Sequence, residues 1–118
     1  MRFLCLIYED EKAWQKMSQA DMEKGMREYG AFTDSIKKAG QYIGGEALQP
    51  TNTAQSVRLR NGKISASDGP YVETKEQLGG YYLINAKDIK DAVQVAARIP
   101  GAKHGTVEVR PIMEFPQP

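Results

Sequence analysis

Apolar and polar positions alternate with different periods along this chain, and the changes of period mark its elements. Residues 2–8 (Arg-Phe-Leu-Cys-Leu-Ile-Tyr) form a nearly continuous apolar run. Such a run suits a central strand covered on both faces. Glu9-Asp10-Glu11 ends it. Trp14 and Met17 lie in the connection and are expected to pack a short turn against the core. Ser18 has the side chain of a helix N-cap, with Asp21 three residues on. From there Met22, Met26, Tyr29, Phe32 or Thr33, and Ile36 recur at three- and four-residue steps. The spacing predicts one amphipathic helix over about 19–39, stopped by Gly40.

The second half of the chain changes to the shorter period. Residues 41–48 predict a short strand, broken by a bulge at Gly44-Gly45. Residues 55–60 and 63–67 flank Asn61-Gly62, a strong hairpin signal. A two-residue turn sets Arg60 opposite Lys63, Leu59 opposite Ile64 and Val57 opposite Ala66. Val57, Leu59, Ile64 and Ala66 then share one face, and Arg58 and Arg60 the other. Residues 80–86 predict a strand that is apolar on both faces. Asp88 caps a second helix in which Ile89, Ala92, Val93, Ala96 and Ala97 fall at helical spacing until Pro100-Gly101. Residues 106–113 predict the last strand, with Val107 and Val109 on one side and Thr106, Glu108 and Arg110 on the other.

This order is an α+β, ferredoxin-like βαββαβ plan with an added β-hairpin. The single domain is expected to cover 1–115, with 116–118 a frayed tail. Two helices cover only one face of such a sheet. The first strand and residues 80–86 are apolar on both faces, so the second sheet face needs a cover as well. A homodimer in which two open sheet faces meet supplies it.

Composition narrows the function classes. Sixteen Lys and Arg against fifteen Asp and Glu give a net charge of +1 over 118 residues. That balance argues against nucleic acid and against an anionic membrane as partners. No apolar stretch nears the roughly 18 residues that span a bilayer, and the N-terminus lacks a signal-peptide pattern, so a cytoplasmic location is expected. The single cysteine, Cys5, lies in the first apolar run and reads as a small buried hydrophobe. Motifs for a transition metal, a dinucleotide, a P-loop or a nucleophile elbow do not occur, so neither metal nor cofactor is expected.

Three places carry candidate chemistry. His104 is the only histidine, and its ordinary pKa of about 6.5 suits proton transfer near neutrality. If Val107 and Val109 face the helices, Glu108 and Arg110 point to the other side of the sheet. There they form either a plain ion pair or the polar wall of a ligand cavity. The run from Asp68 to Gly80 concentrates Asp68, Tyr71, Glu73, Lys75 and Glu76 between two strands, beside Gly79-Gly80.

The sequence from Asp68-Gly69-Pro70-Tyr71-Val72-Glu73 through Leu78-Gly79-Gly80-Tyr81-Tyr82-Leu83-Ile84 closely resembles the signature of the YciI-related proteins, in their DGPF-domain branch. Leu4-Cys5-Leu6-Ile7-Tyr8-Glu9, Gly44-Gly45-Glu46-Ala47-Leu48, His104-Gly105 and Val107-Glu108-Val109-Arg110-Pro111 are similar to it too. The resemblance spans about 2–115, with Tyr71 where the motif has Phe. It implies a dimeric α+β barrel and a His–Asp site, for which His104 and Asp68 are the matching residues. It also implies a link to sigma factors of the extracytoplasmic-function class. The expected activity is cofactor-free acid–base chemistry on a small anionic molecule. His104 and Asp68 would be catalytic, with Tyr71, Glu73, Lys75, Glu108 and Arg110 binding substrate. The alternative is a non-catalytic ligand-binding or regulatory module.

Overall fold

The computed structural model describes residues 1–116. In chain order the elements are β1 (Arg2–Glu9), α1 (Glu11–Gln15), α2 (Gln19–Lys38), β2 (Tyr42–Ala47), β3 (Gln55–Arg60), β4 (Lys63–Asp68), β5 (Gln77–Asn85), α3 (Ile89–Ala96) and β6 (Thr106–Pro111). Short 3₁₀ turns occupy Thr51–Thr53 and Pro100–Lys103. The main sheet has the order β2-β5-β1-β6, antiparallel throughout, and β3-β4 form a separate two-stranded sheet. This is the predicted α+β, ferredoxin-like arrangement with its extra hairpin.

Register assigns every strand residue to a face. Phe3, Cys5 and Ile7 of β1 stand opposite Ile84, Tyr82 and Gly80 of β5, and opposite Pro111, Val109 and Val107 of β6. These positions face the helices. Phe3, Cys5, Ile7, Tyr82 and Ile84 are buried there against Phe32 and Ile36 of α2 and Ala92, Val95 and Ala96 of α3. The alternate residues Leu4, Leu6, Tyr8, Tyr81 and Leu83 point to the other face and are only half-buried. Both helices lie on one side of the sheet, so one layer of the molecule is left open.

Helix starts follow the expected chemistry. The Ser18 hydroxyl accepts from the Asp21 N–H at 3.1 Å, and the Asp88 carboxylate accepts from the Asp91 N–H at 2.8 Å. These caps satisfy N–H groups that have no partner within the helix. The hairpin turns on Asn61 and Gly62, with φ 53° and 74°, the left-handed pair that a two-residue turn requires.

Four details differ from the sequence reading. The stripe of α2 is buried only in its second half, because Met22 and Met26 project beyond the sheet and stay exposed. Trp14 and Met17 are likewise exposed rather than packed in the core, since α1 lies past the end of β1. In α3, Val95 is buried, whereas Ile89 and Val93 line an open groove with Val107 and Val109. That groove stays open because β6 is the edge strand of the sheet among the described residues. The β2 irregularity falls at Ile43, one residue before Gly44-Gly45.

The last strand ends at Pro111, and the chain beyond it is tied back. The Ile112 N–H donates to the Arg2 carbonyl at 3.0 Å, and Arg2 grips Glu114 through two hydrogen bonds of 2.7 and 3.0 Å. Of the predicted tail, residues 117 and 118 lie outside the described residues.

Burial pushes the Cys5 thiol up to about 11. A thiol that stays neutral when folded but ionises near pH 9.0 when unfolded favours folding below pH 9, and that contribution is lost as pH rises towards 11. Urea titrations should therefore show stability falling by about 1 kcal/mol from this group between pH 9 and 10. In Cys5→Ala that part of the slope should vanish. An unchanged slope would contradict the assignment.

Candidate functional site

Both nominated segments precede strands that run antiparallel to β1. The run 68–76 leads into β5, and the turn carrying His104 leads into β6. Glu9 of β1 stands opposite Gln77, and Tyr8 stands opposite Thr106. Topology therefore delivers both segments to the same end of the sheet.

Side-chain hydrogen bonds fasten them there. The Thr106 hydroxyl donates to Glu76 Oε1 at 2.9 Å, joining the start of β6 to the start of β5. Gln77 Oε1 accepts from the Glu11 N–H at 2.9 Å, and Gln77 Nε2 donates to the Thr74 carbonyl at 2.6 Å. The Glu11 carboxylate accepts from both the N–H and the hydroxyl of Thr51, each at 2.8 Å. Thr51 stands just before the hairpin, so this bond fixes the hairpin's root.

A second network holds the His104 turn. Glu9 Oε2 accepts from the Trp14 indole N–H at 2.8 Å, and Glu9 Oε1 accepts from the Tyr29 hydroxyl at 3.3 Å. The same hydroxyl accepts from the Gly101 N–H at 3.1 Å. Burial, and then the neighbouring Glu9 charge, push the Tyr29 phenol far above its ordinary range. Gly101 and Gly105 lie so close to β1 that a Cβ on either would overlap it, against Glu9 Oε1 and the Tyr8 carbonyl oxygen respectively. His104 is thus carried on backbone clamped at both sides, while its own side chain is exposed. The sequence reading missed Glu9 and the Tyr29 hydroxyl. Tyr29 sits on an apolar helical stripe, where a phenol reads as packing, and Glu9 reads as a strand terminator.

Among the described residues, Glu108 and Arg110 are the nominated pair joined by a side-chain hydrogen bond within one chain; the others stand apart. Glu108 and Arg110 share the open sheet face, opposite Leu6 and Leu4 of β1. Arg110 Nη2 donates to Glu108 Oε2 at 2.5 Å, and that bond holds the guanidinium more firmly protonated than usual. Asp68 belongs to the hairpin root, where Oδ1 accepts from Gln55 Nε2. Tyr71 is exposed, its ring 5.4 Å from the Arg58 guanidinium. Glu73 and Lys75 are exposed as well. Among the described residues the ion pairs are Arg2–Glu114 and Arg110–Glu108, so no described carboxylate lies within 4.0 Å of a His104 nitrogen. No group of three His, Cys, Asp or Glu among the described residues is placed to hold a metal ion. No described helix is long and apolar enough to cross a membrane.

Residues 1–116 match the model of a family described as the YCII-related domain. The chain is also 34% identical over 114 residues to an uncharacterised protein of Rhizobium meliloti (strain 1021), covering 95% of this chain and 92% of that one.

Replacing Tyr29 by Phe keeps the ring but leaves the Gly101 N–H without its acceptor. The cost should be about 1–3 kcal/mol in urea unfolding, with faster amide exchange at Gly101. A change under about 0.3 kcal/mol would show that the phenol does not hold this turn.

Proposed function

The chain belongs to the YCII-related domain family, and from that premise we propose that two copies pair through their open sheet faces around a small-molecule site. The observation that carries this reading is the open face itself. Leu4, Leu6, Tyr81 and Leu83 make it too apolar to be left to water, while Tyr8, Thr106, Glu108 and Arg110 give one side of it polar groups.

In this reading His104 transfers a proton to or from the substrate, and Asp68 orients or polarises the imidazole. Lys75 and Arg110 bind anionic groups such as carboxylates at opposite ends of the sheet within one chain, since Arg110 stands opposite Leu4 and Lys75 precedes the Gln77–Glu9 pair, with Tyr71, Glu73 and Glu108 completing the wall. Arg110 already donates to Glu108 through Nη2. A substrate carboxylate takes another edge of the guanidinium, which carries five N–H donors in all. The reaction class that fits is a cofactor-free lyase, isomerase or elimination. The clamped turn supports this role, because an acid–base group works only when its reach is fixed.

One observation favours the second reading, a ligand-binding or regulatory module. His104 has no carboxylate partner among the described residues, so the acid–base pair depends on a change in position or on a second protomer.

His104 gives the chain's only imidazole NMR signal, so it needs no assignment by mutation. Added small carboxylic acids should shift that signal, and Arg110→Ala should abolish the shift. A ligand that binds without moving it would place the site elsewhere. For any substrate found, His104→Gln and Asp68→Asn should each slow turnover by about 10²–10⁴-fold. Turnover within about threefold of the parent for Asp68→Asn would remove Asp68 from the mechanism.

A further inference from the structure

Beyond its root at Asp68, the hairpin is the most conspicuous feature that the site does not use. Its rungs pair Gln55 with Asp68, Val57 with Ala66, and Leu59 with Ile64 on one face. Ser56 with Ser67, Arg58 with Ser65, and Arg60 with Lys63 lie on the other. The apolar face is bare: Val57 is 65% exposed, Leu59 63% and Ile64 78%. An isolated two-stranded hairpin is marginal in water at best. The chain measures 50 × 48 × 18 Å with a radius of gyration of 16.4 Å, against about 13.5 Å for a compact chain of this length. The hairpin is therefore an outrigger that its own body does not cover.

We propose that this hairpin is an arm that docks by its apolar face on a second copy of the chain, carrying the Asp68 carboxylate across with it. The inference rests on the dimer reading above and adds what that dimer needs. At about 4.8 Å between strands and 3.3 Å per residue, four strands over six paired residues make a sheet face of roughly 400 Å². Two such faces meeting remove about 800 Å² in total, the size of a packing contact and below the roughly 1,000 Å² that marks a specific interface. One arm face, two strands by six residues, is roughly 200 Å² and covers as much again on the surface that receives it. Two arms bring the total to about 1,600 Å², the standard size of a stable interface.

Charge agrees with a second copy as the occupant. The arm from Gln55 to Ser67 carries Arg58, Arg60 and Lys63 and no acid. Removing those three leaves thirteen cations against fifteen acids on the rest of the chain. A basic arm thus meets a body of opposite net sign, an arrangement that speeds and orients association.

The consequence for the site follows from register. Asp68 lies on the apolar face, two rungs beyond Val57 and Ala66, and its Oδ1 accepts from its rung partner Gln55. Asp68 shares this face with Leu59 and Ile64 but stands four residues along the ladder from them, about 13 Å at 3.3 Å per residue, so a surface that covers the whole arm face reaches that carboxylate as well. Asp68 therefore serves the other protomer, and each site is incomplete without the partner's arm.

Sedimentation equilibrium on the full chain tests this, with Leu59→Ser/Ile64→Ser as the arm variant and Ser65→Asn as the opposite-face control. Both arm side chains are exposed within the protomer, so the variant should keep its far-UV circular dichroism. Its dimer Kd should rise at least a hundredfold, while Ser65→Asn should stay within threefold. Amide exchange on the unmodified protein gives a reading independent of the variants: amides 57–66 should be protected at high concentration and lose protection on dilution. A persistent dimer with unchanged Kd in the arm variant would overturn the arm and leave the dimer standing. A parent protein that is monomeric throughout would overturn both. Loss of binding to phosphatidylglycerol vesicles in the arm variant, with the dimer intact, would make a membrane the occupant and also overturn the proposal.

Discussion

Everything in this structure depends on the one-sided covering of a four-stranded sheet. Antiparallel strands alternate their side chains between two faces, and two helices suffice for only one. On the covered side, Phe3, Cys5, Ile7, Tyr82 and Ile84 disappear beneath α2 and α3. On the other side, Leu4, Leu6, Tyr81 and Leu83 belong to the same strands yet remain half in water. Burying an aliphatic side chain of this size is worth about 1.5–3 kcal/mol. Several left half-covered on adjacent strands make a strong drive towards a second sheet, and a polar strip running from Thr106 to Arg110 interrupts that surface along one side.

The candidate site follows from where antiparallel strands begin. Strand β1 ends where β5 and β6 start, so residues just before those two strands must meet at its end. The Thr106–Glu76 bond ties the start of one strand to the start of the other. Glu9 and Tyr29 hold the turn before β6, and the missing side chains of Gly101 and Gly105 let that turn lie against β1. The result is a histidine on rigid backbone with a free ring. Rigid support for an exposed side chain is what a binding or proton-transfer group needs, because positioning costs are then met by folding and not by the ligand.

Much of the fold was legible because its signals are local. The apolar run of β1, the Ser18 and Asp88 caps, the Asn61-Gly62 turn and the hairpin register all follow from residues within a few positions of one another. The stripe of α2 was legible as a helix but not as a packed one: nothing near Met22 or Met26 says that the sheet stops short of them. Val95 was missed for the same reason, since the groove that leaves Val93 open depends on β6 being an edge. The site was legible as two separate segments, one carrying His104 and the other rich in charged residues. The bonds that organise them, Glu9 to Tyr29 across 20 residues and Thr106 to Glu76 across 30, join positions whose sequence surroundings point elsewhere.

The central claim is that the open sheet face is covered by a second copy, and the mass of the protein in solution tests it most directly. Light scattering on the micromolar protein should give twice the 13.1 kDa of the chain. A mass that stays at the single-chain value as concentration rises would show that this face tolerates water, and would contradict the shared site at its root.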